Sequence, residues 1–275
     1  MSSTLDKIKE RLANLKQKGG GGQNKEMSVY WKPEAPKKNE SVEYMVRLVP
    51  THNEDPLRQY WIHYNMGVPG FLSPYKNFNE KEDPIQPIIK DLWNDYNEVK
   101  KSTDVSEDER TAALTELKAE LKKFSPVDRY YGLVVVRGEE DKGARIWSFS
   151  KTVYEEILNI FMDPECGEIN DPETGYDLKV TISNNGKSYS ETKVKEAKKP
   201  SKLSQDKVLS KKIMESRPNL DDEICRNGKK SVGEVQNILD KFMNQGEVQE
   251  LNKAAEKKYR KDEVDAKLDD LLDEE

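Results

Sequence analysis

Tyr131-Gly132-Leu133-Val134-Val135-Val136-Arg137 is a strongly β-prone stretch. Its branched side chains suit a pleated, half-buried surface better than a helix. Working outward, residues 30–49 carry the alternation Val42, Tyr44, Val46, Leu48, closed by Pro50 and an Asn-Glu-Asp-Pro loop. Residues 60–64 read as a second strand and 131–137 as the third. Residues 144–150, after the turn residues Asp141-Lys142-Gly143, read as a fourth, and 177–183 as a fifth. Five short strands separated by unequal insertions predict a small closed barrel with helical insertions, an α+β chain with a mainly β core.

The largest insertion holds Ser106-Glu107-Asp108-Glu109, a capping box, followed by Leu114, Leu117, Leu121 and Phe124 on one face. That spacing predicts a helix over 106–124. Residues 151–162 predict another, with Val153, Ile157, Ile160 and Phe161 turned to a core. Beyond Ser201 the helical stretches are short and weak, such as 232–242, and little buried mass is expected after residue 245. At the N-terminus, Leu5, Ile8, Leu12 and Leu15 recur at helical spacing behind Ser2, Ser3 and Thr4, and Gly19 to Gly22 follow. This reads as a short amphipathic arm on a glycine tether, or as a frayed end without a role. The expected organisation is an arm (1–25), a core (26–245) with a helical subdomain over about 65–125, and a tail (246–275).

A chain of 275 residues with 34% hydrophobic and 36% charged residues keeps much of its length at the surface, so one main domain with appendages is expected. Cys166 and Cys225 are far apart, and neither a secretory signal nor a bilayer-length apolar run is present, which predicts a reducing, cytoplasmic setting. The net charge of −6 hides a separation along the chain. Residues 262–275 hold eight acids and one lysine, and without them the chain sums to +1. Residues 1–25 carry +4, and residues 187–212 carry nine lysines against three acids. Two basic segments and an acidic tail suggest a polyanionic ligand and an internal competitor for it.

Enzyme readings lack their constellations. His52 and His63 are the only histidines, no Cys-x-x-Cys pair exists for zinc, and no phosphate-binding loop is present. The densest acidic cluster sits at the extreme C-terminus, a poor frame for a magnesium nuclease. Aromatic residues interleaved with cations are the positive signal. Trp93 and Tyr96 precede Lys100 and Lys101. Arg129 precedes Tyr130 and Tyr131, Arg145 precedes Trp147, Phe149 and Lys151, and Tyr189 lies between Lys187 and Lys193. Bases stack on aromatic rings for about 1–3 kcal/mol each while cations neutralise phosphates. The same rings suit a core equally well, and Trp147 and Phe149 must share one side of a strand.

Taken together, Trp31-Lys32, Val46-Arg47-Leu48-Val49-Pro50, Asp91-Leu92-Trp93-Asn94, Tyr130 to Val136, Leu178-Lys179-Val180 with Tyr189 following, and Leu268-Asp269-Asp270-Leu271-Leu272 resemble the single-stranded DNA-binding proteins of T4-type bacteriophages. The resemblance implies an oligonucleotide-binding (OB) barrel that coats single strands cooperatively, without sequence preference and without catalysis. Its setting would be phage replication, recombination and repair in the host cytoplasm. It implies an arm that joins copies head to tail, with Thr4, Lys7, Lys9 and Arg11 as contacts, although the family's compact basic triplet is missing. It carries the groove onto Trp93, Tyr130, Tyr131, Trp147 and Tyr189, with Arg47, Lys122, Lys123, Arg129, Arg145 and Lys151 nearby. One family aromatic is replaced near Gly186.

The tail residues Leu268, Asp269, Asp270, Leu271, Leu272 and Asp273 would dock replication and recombination proteins and occupy the groove when DNA is absent. A merely solubilising tail is the alternative. Family members hold a structural zinc, but Asp83-Pro84-Ile85-Gln86-Pro87 stands where the Cys-x-x-Cys would fall. A zinc-free subdomain without cofactor is therefore expected, with the 106–124 helix supplying rigidity. Two other classes stay open: a scaffold or helicase-loader-type adaptor, and an RNA-binding translational regulator.

Overall fold

A computed structural model of the chain describes residues 29–53, 55–186 and 190–244. The arm, the tail, Lys187 and Tyr189 lie outside the described residues. The strands are β1 (Tyr30–Trp31), β2 (Ser41–Val49), β3 (Leu57–His63), β4 (Phe71–Leu72), β5 (Val127–Val136), β6 (Arg145–Phe149), β7 (Tyr176–Ser183) and β8 (Glu191–Pro200). The helices are α1 (Pro74–Phe78), α2 (Ile85–Lys101), α3 (Glu107–Phe124), α4 (Lys151–Met162), α5 (Lys207–Ser216), α6 (Leu220–Gly228) and α7 (232–244). No helix among the described residues is long and apolar enough to cross a membrane. The result is a mixed α/β chain with a mainly sheet core, divided into two compact units.

The first unit comprises described residues from 29–56, 132–148 and 156–218. Its strand path is β1-β6-β5-β2-β7-β8, and among the described residues no pairing joins β1 to β8, so the path is open. β2 runs antiparallel to β5 (Val46↔Val136, Leu48↔Val134) and to β7 (Tyr44↔Val180, Val46↔Leu178). Side chains alternate across a strand, so Val46, Leu48, Val134, Val136, Leu178 and Val180 share one buried face. β1 lies parallel to β6, pairing Trp31 with Trp147. Trp31 meets Tyr44 and Trp147 edge-on, each at 5.4 Å. After a 3-10 turn at Glu140–Lys142, Gly143 takes φ 70°, a left-handed value that glycine adopts without strain.

The second unit comprises described residues from 57–131, 149–155 and 219–244. β3 pairs with β4 (Ile62↔Leu72, His63↔Phe71) and with β5. Met66, Phe71, Ile85, Phe124, Val235 and Leu239 form its core, with Ile88, Ile89 and Leu92 of α2 packed against them. Those α2 positions recur at helical spacing and fix which side of the helix is inward. At the start of α3, Ser106 Oγ accepts from Glu109 N, and Ser106 N donates to Glu109 Oε2 at 3.1 Å. Such a box is worth about 1 kcal/mol. Ser231 and Glu234 build the same box at α7. Asp221 at the start of α6 takes Arg58 Nε at 2.9 Å and the Tyr60 hydroxyl, tying that helix to β3.

All five expected strand segments are strands, and the helices over 106–124, 151–162 and 232–242 are present. The first expected segment divides into β1 and β2, and the additions are β4, β8, α1 and α2. Pro84 stands at the N-cap of α2 and Pro87 in its first turn, where the missing N–H would be unpaired anyway. The two prolines therefore begin this helix instead of preventing it.

Candidate nucleic-acid interface

β8 is an edge strand with four lysines among its ten residues. Its register with β7 pairs Lys195 with Lys179, Lys193 with Thr181, and Val194 with Val180. Alternation buries Val194 and leaves Lys193 and Lys195 on the opposite, open face. Lys179 reaches Glu43 at 2.7 Å and Lys193 reaches Glu191 at 3.4 Å. Lys195 has no carboxylate within 4.0 Å among the described residues. Like charges directly opposite across a sheet cost roughly 0.2–1 kcal/mol, and solvated ion pairs return about as little. Exposed Lys198 and Lys199 extend the run, and Lys202 pairs with Glu173 at 3.2 Å. Residues 191–212 sum to +5.

The second unit supplies exposed rings. Trp93 on α2 is 48% exposed and meets Tyr96 edge-on at 5.5 Å. Lys118 Nζ of α3 stands 5.8 Å from the Tyr96 ring centre. Lys100, Lys101, Lys122 and Lys123 are exposed at the last turns of α2 and α3, where cations also favour the helix dipole. Lys123 is held by Glu120. Acids offset these cations, since α2 sums to 0 and α3 to −1, so this surface offers stacking more than charge.

A second exposed pair escaped the sequence reading. Tyr75 and Phe78 on α1 both face solvent, with Lys229 Nζ 4.5 Å from the Phe78 ring centre. Asn77 anchors α1 to β3 by accepting from Trp61 N at 3.0 Å and donating to Trp61 O at 2.7 Å. The signal was present as Tyr75-Lys76-Asn77-Phe78, an aromatic pair flanking a lysine.

Six candidates are interior. Arg47 is fully buried, its guanidinium donating to Asp177 Oδ1 at 3.3 Å and to the Ser201 carbonyl. Burial lowers its pKa while Asp177 opposes the shift. Arg145 is nine-tenths buried and bonded to Glu139. Trp147 and Phe149 share a strand side as alternation required, and both are core. Tyr130 stacks on Tyr154 with ring centres 4.1 Å apart. Its hydroxyl donates to Asp128 at 2.9 Å and accepts from Gln59 at 3.1 Å. Burial first, then the bond to Asp128, pushes its pKa up to about 12. Tyr131 meets Tyr60 edge-on at 5.9 Å. These side chains are large enough to fill a core, and a single sequence cannot separate that use from base stacking. Arg129 is half-buried, and Lys151 is exposed with Glu155 at 3.7 Å.

Among the described residues, no three His, Cys, Asp or Glu side chains stand together as a metal site. Asp83 instead caps backbone, accepting from Tyr75 N at 3.1 Å and Ile85 N at 3.0 Å. His63 is buried and stacked on Phe71 at 5.1 Å, and neither ring nitrogen makes a hydrogen bond of ordinary geometry among the described residues. Burial lowers its pKa, with Asp83 opposing. Neither the family models nor the curated proteins searched match this chain.

Proposed function

We propose that this chain is a cooperative, sequence-tolerant single-stranded DNA-binding protein without catalytic residues, serving phage replication, recombination and repair, on a core of OB type. The observation that carries the reading is the lysine edge of β8, where Lys195 faces Lys179 and has no carboxylate within 4.0 Å among the described residues. A phosphate backbone supplies that counter-ion and releases its own cations on binding. Exposed Trp93 with Tyr96 gives bases a ring to stack on, and neither contact discriminates sequence. Binding only the open strand shifts duplex melting by mass action.

The test is a tryptophan-fluorescence titration with oligo(dT) at several salt concentrations. Quenching with a steep salt slope is expected. Replacing Lys193, Lys195 and Lys198 together by alanine should flatten that slope by about 2, at about 0.7 per single-strand phosphate lost. No quenching at low salt would favour a protein-only adaptor. Tighter binding to a matched oligo(rU) would favour the RNA reading.

A further inference from the structure

We infer that the second unit carries a docking slot for an acidic segment of a partner protein, one that presents a leucine or phenylalanine side chain between carboxylates. The slot uses none of the residues assigned above to the strand. It is a cleft of about 340 Å³ between the loop after β3 and α7. Val68 and Pro69 of the loop and Ile238 of α7 are its apolar walls, and Lys230 and Lys241 are its cations. All of these lie within the second unit.

The loop departs from the rest of the chain in composition. Residues 59–75 hold no Asp, Glu, Lys or Arg, although 36% of the chain is charged. What it shows to water is therefore largely apolar: Tyr64 is 44% exposed, Pro69 and Gly70 are exposed, and Val68 is half-buried. The loop is also held in place. Met66 is buried in the core of the unit, and Asn65 Nδ2 donates to the Lys122 carbonyl at 3.0 Å. The Tyr64 ring lies so close to Gly70 that a Cβ there would stand 2.8 Å from it. A cleft formed in advance spares its ligand the cost of ordering it.

Charge selects the occupant. Neither Lys230 nor Lys241 has a carboxylate within 4.0 Å among the described residues. Glu234, the one acid lining the cleft, is engaged in the capping box of α7, accepting from Ser231 N and from Ser231 Oγ, each at 2.8 Å. Apolar walls beside two uncommitted cations match an apolar side chain flanked by carboxylates. A nucleic acid fits less well, since no aromatic ring lines the cleft and a base would have nothing there to stack on. The chain's own acidic end fits less well too. Residues 262–275 sum to −7, and the +5 run of residues 191–212 attracts them more strongly than two lysines do.

The probe is a blocked peptide, acetyl-Gly-Ser-Asp-Leu-Glu-Ser-Gly-amide, titrated into the full chain and followed by amide NMR. Saturable shifts clustered at residues 67–70 and 230–241 are expected, with a dissociation constant below about 1 mM. Serine in place of the peptide's leucine should weaken binding about tenfold or more. Lys230→Glu with Lys241→Glu should weaken it about tenfold, and that variant should take up acetyl-Gly-Ser-Lys-Leu-Lys-Ser-Gly-amide instead, because opposite charges again meet. Its affinity for oligo(dT) should stay within about threefold of the original. Absence of saturable shifts at these residues would overturn the inference, as would equal binding of the serine peptide or failure of the reversed variant to take the lysine peptide. A loss of oligo(dT) affinity of about tenfold in that variant would give the cleft to the strand. Replacing Leu268, Leu271 and Leu272 by serine in the full chain should leave peptide binding unchanged. Binding tightened by more than about threefold would make the tail the occupant in place of a partner.

Discussion

Replacing Asp177 by alanine and Arg47 by methionine perturbs one buried cluster from two sides, and the geometry makes the outcomes unequal. Asp177 serves two cations, Arg47 at 3.3 Å and Arg137 at 3.1 and 2.7 Å. Without the carboxylate, two guanidinium groups are left together, one fully enclosed and the other a fifth exposed. Stranding a buried charge costs about 3–5 kcal/mol. In Arg47→Met, by contrast, Asp177 keeps both contacts from Arg137, and an unbranched apolar chain occupies much of the same space. The charge-assisted contacts to Asp177 and the Ser201 carbonyl are lost, but the desolvation that lowers the Arg47 pKa is relieved and Nε had no partner to lose. The net cost should be about 1 kcal/mol. Hydrogen exchange of peptides covering β2 and β7 reads the first unit by itself. Protection there should fall by about two to four orders of magnitude in Asp177→Ala, and by about one in Arg47→Met. Equal losses would refute the ion-pair reasoning. Unchanged exchange in Arg47→Met with a tenfold loss of oligo(dT) affinity would make Arg47 a strand contact after all.

His63 should make the second unit acid-sensitive. An unfolded histidine binds its proton near pH 6.5 and the buried one only lower, so stability should fall by up to about 1.4 kcal/mol per pH unit below about 6.5. Urea midpoints at pH 7 and 5 should show this, and His63→Leu should remove the slope. Gly175 is enclosed by backbone, since a Cβ there would stand 2.4 Å from the Ile169 carbonyl oxygen. Gly175→Ala should cost about 1–3 kcal/mol, seen as a lower unfolding midpoint with local exchange in the 169–176 segment. Trp93→Ala should weaken oligo(dT) binding by about 1–3 kcal/mol and remove most of the quenching, while the denaturation midpoint moves by less than about 0.5 kcal/mol.

What could be read in advance was short-range. Ser106 and Glu109 are three residues apart and announce the start of α3 without reference to the rest of the chain. The valines of β5 do the same for a central strand. β8 was hidden because its open face carries lysines and its last residues are Lys198, Lys199 and Pro200, so a single buried valine had to carry the alternation. The burial of Arg47 has a longer-range cause. An arginine between Val46 and Leu48 looks like a cation at a groove, and the carboxylate that holds it lies 130 residues away. Alternation gives Trp147 and Phe149 one side of their strand, but what covers Trp147 on that side is Trp31, brought there by the parallel pairing of β1 with β6.

The bland account of β8 is edge protection, in which charge on an outer strand discourages pairing with other chains. That account covers the lysines and the proline of the strand itself, and it ends where the strand ends. The charge does not end there. β8 carries four lysines against two glutamates, and the excess continues through Lys202, Lys207, Lys211 and Lys212, beyond the strand and onto α5. Glu173 and Glu215 answer two of these four, leaving the bias largely uncompensated. The acids that could have balanced it are collected elsewhere in the same unit, along 156–173, and in the tail. Keeping like charges together costs stability through self-repulsion. Edge protection needs no such arrangement, whereas a polyanion on the lysines supplies the missing partner.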